Sequence, residues 1–112
     1  MNPKSQYDSL LGYAQGAKKI HVHLTVLDTR GIEGPYEHSH EAEEAMYFLE
    51  GEAEYAVGGT IRRVVPGDLL FFPSGVAHGY VRFFSDRMRY LVIRNVEPGA
   101  DERCCCEADR PA

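Results

Sequence analysis

The sequence predicts an all-β fold, a small antiparallel barrel or sandwich, and three observations carry that reading. Short runs alternate apolar with polar residues, as in Ile20-His21-Val22-His23-Leu24-Thr25-Val26-Leu27, so successive side chains serve opposite faces of a strand. Turns rich in glycine and proline, such as Gly58-Gly59 and Pro66-Gly67-Asp68, separate these runs at the roughly 8–12-residue spacing of all-β domains. Helical periodicity is almost absent.

Taken in order, residues 1–17 read as an N-terminal arm. Pro3, Gly12 and Gly16 punctuate Tyr7, Leu10, Leu11 and Tyr13. The expected role is to lie across the barrel or a neighbouring subunit, with at most one helical turn from Ser9 ended by Gly12 or Gly16. The barrel domain spans 18–97. Its first strand, 20–27, offers Ile20, Val22, Leu24 and Val26 as the core-facing side, which leaves His21 and His23 as exposed strand histidines. The glycines of 28–34 make a turn. A strand runs from Glu44 through Leu49, Gly51 turns the chain into Glu52–Val57, and Gly58-Gly59 forms a two-residue hairpin into Thr60–Val65. Leu69–Phe72 is an apolar run of buried-strand length. Pro73-Ser74-Gly75 bends the chain ahead of His78–Arg82, and Met88–Val96 is a last long strand. Residues 98–112 read as a flexible tail that holds all three cysteines, Cys104, Cys105 and Cys106. They form no disulfide framework of the secreted type. A surface tail with oxidisable thiols is the plain reading; redox sensing and soft-metal binding are the others.

With 112 residues, the chain makes one domain, large enough to bury a core without disulfides. Twelve Lys and Arg stand against 17 Asp and Glu, a net charge of −5. This argues against nucleic acid and anionic membrane as partners, since both require a basic face. No apolar run approaches the roughly 20 residues of a membrane span, and Met1–Ile20 lacks the apolar core of a signal peptide. These features point to the cytoplasm.

The chemistry gathers in two stretches. His38 and His40 lie one residue apart in an extended segment, so both rings point the same way. Glutamates follow, and His78 stands behind the Pro-x-Gly bend. Imidazole and carboxylate are ligands that Zn, Fe, Mn, Ni and Cu share. Three neutral imidazoles and one carboxylate sum to a charge of −1, which leaves a divalent ion electron-poor enough to act on an oxygen ligand.

These stretches resemble the two motifs of the cupin superfamily. The first motif is a His-x-His, a glutamate after three or four intervening residues, and a glycine after six more; His38, His40, Glu44 and Gly51 fall at these offsets. Gly67, Pro73, Gly75 and His78 fall at the offsets of the second. Two positions depart from the pattern: Ile32 replaces the opening glycine, and Arg82 stands where the second motif ends in asparagine. The short stretch between the motifs, residues 52–66, leaves no room for an inserted lid.

The resemblance implies a double-stranded β-helix, or jelly-roll, barrel holding one divalent transition metal (Zn, Fe, Mn or Ni) on His38, His40, Glu44 and His78. Of the acidic cluster Glu37, Glu41, Glu43 and Glu44, only Glu44 has the ligand spacing; Glu43 is then a solvated charge. With Glu44 inward, Met46 and Phe48 share its face, and Phe71 completes an apolar wall for a substrate. Tyr47 and Tyr80 are the candidate proton donors, Tyr80 equally readable as a packed barrel residue. Alternation from His78 carries Arg82 inward, as an anion clamp for substrate or as a rim salt bridge.

An ion with two open positions chelates a keto-acid, hydroxy-acid or enediol. The reading is therefore a metalloenzyme acting on a small anionic oxygenated metabolite (a sugar acid, keto-acid or sugar phosphate) by isomerisation, elimination or oxygenation. The alternative is a non-catalytic, metal-organised binding or sensing module, because fold and ligand set do not determine the reaction. The expected assembly is a homodimer that buries part of a sheet face through strands 20–27 and 88–96.

Overall fold

The computed structural model describes residues 5–96, so the expectations for the cysteine tail lie outside the described residues. Eight strands form two antiparallel sheets. They are β1 Gln6–Leu11, β2 Ile20–Asp28, β3 Glu44–Glu50, β4 Ala53–Val57, β5 Thr60–Val64, β6 Leu69–Phe72, β7 His78–Phe83 and β8 Arg87–Asn95. One sheet has the order β1-β2-β8-β3-β6 and the other β5-β4-β7. This is the all-β architecture expected from the turn spacing, in the jelly-roll arrangement that the resemblance implied.

β2 and β8 pair over their whole length, from Ile20 opposite Asn95 to Asp28 opposite Arg87, and form the spine of the larger sheet. The β4–β5 hairpin turns through Gly58 and Gly59, with φ of 57° and 86°. Two successive positive φ values are what a tight primed hairpin turn requires, and glycine adopts them without a steric penalty.

Between the sheets lies the core, where Leu27, Phe48, Phe72, Met88, Tyr90 and Val92 are fully buried. Phe48 packs against Tyr55 and Tyr90 at ring-centroid distances of 5.5 and 5.9 Å, in the tilted geometry aromatic pairs favour.

Two expectations need correction. Residues 6–11 form no helical turn: they make the edge strand β1, which pairs with β2. The helical turn comes later and is tighter, a 3₁₀ turn at Tyr13–Gln15 ended by Gly16 at φ 92°. The second correction concerns β2, whose faces are the reverse of the expected ones. His21, His23, Thr25 and Leu27 point inward and are buried, while Ile20 on the other face is 52% exposed. Both faces of β2 can be covered, so alternation alone marked two faces without saying which one the barrel encloses. Tyr7 packs on the His23 ring at 4.0 Å, and Tyr13 meets His21 edge-on at 4.6 Å. The N-terminal segment thus covers the inward histidines.

The outer face of the large sheet is correspondingly apolar. Cross-strand register aligns Val22, Ile93, Ala45 and Phe71 in one row and Leu24, Leu91, Tyr47 and Leu69 in the next.

Candidate metal centre

Each ligand candidate reaches the barrel interior for a local reason. Glu44 opens β3 with its side chain inward and is 2% exposed. His78 opens β7 directly after the Pro73-Ser74-Gly75 bend and is buried. His38 belongs to no named strand, yet it forms an antiparallel bridge with His78: the His38 N–H donates to the His78 carbonyl at 2.9 Å, and the reverse bond is 2.8 Å. The Tyr36 N–H likewise donates to the Tyr80 carbonyl at 2.9 Å.

This approach depends on Gly79. Any side chain there would run into the Tyr36 carbonyl, so glycine is what lets the segment at 36–38 lie against β7.

The result is a triangle of imidazole donors, from His38, His40 and His78, all within 4.8 Å of one another. Glu44 Oε1 lies 3.2 Å from His40 Nε2. The tautomers follow from the backbone. His40 Nδ1 is 2.9 Å from the Ala42 carbonyl, and His78 Nδ1 is 2.9 Å from the Val76 carbonyl. A carbonyl only accepts, so each Nδ1 carries a proton and Nε2 is the ring atom left for the centre. At His40 this atom faces a carboxylate oxygen at 3.2 Å, a contact that needs a proton or a cation between the two. Phe72 stacks on His78 at 4.2 Å with the rings only 6° apart, which fixes the ring plane. Backbone carbonyls orienting imidazoles in this way are the usual outer support of a metal site. The donor set therefore fits a divalent ion held by His38, His40, Glu44 and His78.

A cavity adjoins the triangle, with Tyr36, Tyr80, Met46, Tyr55, Tyr90 and Val92 among its walls. Its free volume is about 30 Å³, room for an ion and one or two small groups. Of the expected site residues, Tyr80 and Met46 line this space. Phe48 is inward but sits deeper, in the core beside Tyr55 and Tyr90.

Three expected site residues lie elsewhere. Tyr47 is on the outer face and 37% exposed; the parity that turns Glu44 inward turns Tyr47 out. Phe71 is also outward, 51% exposed, opposite Ala45 of β3. Arg82 points to solvent, where its Nε pairs with Glu54 at 3.0 Å. The cause is a bulge. β4 pairs Tyr55 with Tyr80 but Glu54 with Arg82, so Val81 is an extra residue that shifts the alternation by one. Phe83 takes the inward place instead and packs on Tyr80 at 5.0 Å.

Sequence reasoning missed Tyr36, which lines the cavity, and the burial of His21 and His23. Tyr36 had a usable signal: it lies two residues before His38 in the same extended segment, and its ring stacks on Tyr80 at 5.5 Å.

Comparison with known proteins agrees with this geometry. Over 49 residues the chain is 47% identical to the dimethylsulfoniopropionate lyase DddQ of Ruegeria pomeroyi, a match covering 43% of this chain and 24% of the lyase. The chain thus aligns with about a quarter of that relative's length. Among solved structures, KdgF from Halomonas sp. superimposes with a TM-score of 0.71 at 20% identity, covering 91% of this chain and 86% of that one. The polyketide cyclase RemF from Streptomyces resistomycificus superimposes with a TM-score of 0.68 at 26% identity, covering 88% and 69%. The family profile described as "Cupin domain" matches residues 23–94, which is most of the described barrel. The chain is a member of the cupin family.

Proposed function

We propose that this cupin is a metalloenzyme that moves a proton on a small anionic oxygenated metabolite, by elimination or isomerisation. The observation that carries the reading is the convergence of three imidazoles and a buried carboxylate on a cavity that two stacked tyrosines also line. A divalent ion there would supply Lewis acidity toward a substrate carbonyl or carboxylate oxygen. Tyr80 and Tyr36 bring phenol hydroxyls to the cavity, and Tyr80 is the group that holds or delivers the proton. Met46, Val92 and Phe72 exclude bulk water from the same space, which strengthens every polar interaction within it. The 49-residue likeness to a lyase supports elimination over oxygenation.

The test follows the proton. Tag-free protein is incubated in D₂O with a panel of 2-hydroxy acids, 2-keto acids and uronic acids, while mass spectrometry follows deuterium uptake and an electrode follows dioxygen. The expected result is deuterium exchange or elimination without oxygen consumption, slowed roughly 10²–10⁴-fold by Tyr80→Phe. Oxygen uptake in step with turnover would make the protein an oxygenase. Ligand binding without exchange or turnover would make it a sensing module.

A further inference from the structure

Glu54 already occupies Arg82, and most arginines of this chain are engaged in the same way. Arg30, Arg63, Arg87 and Arg89 each have a carboxylate oxygen within 3.7 Å, and Arg94 is buried with partners of its own. Arg62 has no such partner among the described residues.

Its place in the fold gives that guanidinium a setting. β5 ends the smaller sheet and β6 ends the larger, and no ladder joins these two strands, so the barrel is open along the seam between them. Register sets Arg62 opposite Tyr55 of β4, on the same face, with Cβ atoms about 5 Å apart. Tyr55 is buried, whereas Arg62, on the edge strand, is exposed. A groove with a free volume of about 370 Å³ occupies the seam, lined by Thr60 and Arg62 of β5, Leu70 and Phe71 of β6, and Val57 of β4. This volume falls within the roughly 300–1,000 Å³ of small-molecule sites. The groove shares no lining residue with the metal-side cavity.

The lining defines the ligand. One cation and one hydroxyl stand among apolar side chains, of which Phe71 is 51% exposed. Covering that surface with hydrocarbon is favourable, and a guanidinium takes a carboxylate in two-point geometry. A strand added to the edge of β6 fits less well, because β6 has four residues and Pro73 follows it. Short edges flanked by proline are among the ways sheets block strand addition.

We propose that the β5–β6 groove binds an amphipathic carboxylate, with the carboxylate on Arg62 and the hydrocarbon body against Leu70 and Phe71. The site is separate from the metal centre and does not depend on the metalloenzyme reading.

The test is equilibrium dialysis of the full chain against octanoate and 1-octanol, which share a hydrocarbon chain and differ in the polar end. Octanoate should bind about tenfold tighter, the low end for a charge-assisted hydrogen bond because Arg62 faces solvent. Arg62→Met should remove the preference and leave 1-octanol binding intact, and Arg62→Lys should keep part of it. Arg82→Met should keep all of it. Phe71→Ala should weaken both probes alike, by roughly fivefold. Retention of neither probe, equal affinity for the two, or a preference surviving in Arg62→Met would overturn the proposal. Loss of the preference in His78→Ala would do the same, by placing the carboxylate at the metal centre. So would a halving of the mass by light scattering when octanoate is added, because the groove would then hold a second copy of the chain.

Discussion

At the scale of single residues, the site depends on one absent side chain. Gly79 sits between two residues that face the cavity, His78 and Tyr80, and its bare backbone lets the Tyr36 carbonyl approach. Gly79→Ala should push the segment at 36–38 off β7 and carry His38 away from His78. Overpacking of this kind costs about 1–3 kcal/mol, visible as a lowered melting temperature, and zinc affinity measured by chelator competition should fall at least roughly tenfold. Unchanged zinc affinity would show that His38 is not held by that contact. The same scale shows what was legible in the chain. His38, His40, Glu44 and His78 could be read from spacing because extended backbone and a Pro-x-Gly bend leave little freedom in where rings point. Arg82 could not, because a bulge at Val81 inverts parity and leaves no mark in composition.

At the scale of elements, β6 offers a direct contrast. Phe71 and Phe72 are adjacent, yet Phe72 is buried against His78 while Phe71 is on the outer face. Phe72→Ala should destabilise the fold by about 3–5 kcal/mol and loosen the His78 ring. Phe71→Ala should stay within about 1 kcal/mol in the unassociated chain. Chemical denaturation of the two variants side by side checks the assignment; equal losses would contradict it. An apolar run such as Leu69-Leu70-Phe71-Phe72 cannot announce its inward face, since both faces are apolar. Only the register with β3, where Glu44 lies opposite Phe72, decides it. β2 posed the same problem in mirror image, and there the polar face is the inner one, with His21, His23 and Thr25 buried and Tyr13 and Tyr7 packed on the two histidines.

At the scale of the whole molecule, the all-β class, seven of the eight described strands and the hairpin at Gly58-Gly59 were readable from turns and alternation, and the jelly-roll arrangement from the resemblance of the two motifs. The position of the N-terminal segment was not, because an edge strand is defined by its partner. The outer face of the large sheet carries two aligned apolar rows across β2, β8, β3 and β6, with Leu69 64% and Phe71 51% exposed. An apolar surface of this extent marks an interaction site more often than free surface. We propose that it pairs with a second copy around a two-fold axis. Leu69→Glu places a charge in that face without touching the core, so light scattering at micromolar concentration should give twice the chain mass for wild type and the single mass for the variant. A wild-type chain that is monomeric throughout would refute this assembly.

The chemistry of this barrel turns on whether four side chains hold one ion. Protein purified without a histidine tag, offered Zn, Fe, Mn and Ni in turn and dialysed, should retain close to one divalent ion per chain by elemental analysis. His78→Ala should lose most of that ion while keeping a β-rich circular dichroism spectrum, because the buried aromatic and aliphatic side chains rather than the metal hold the barrel together. Wild-type protein that retains no ion, or a His78→Ala variant that retains as much as wild type, would contradict the metal centre.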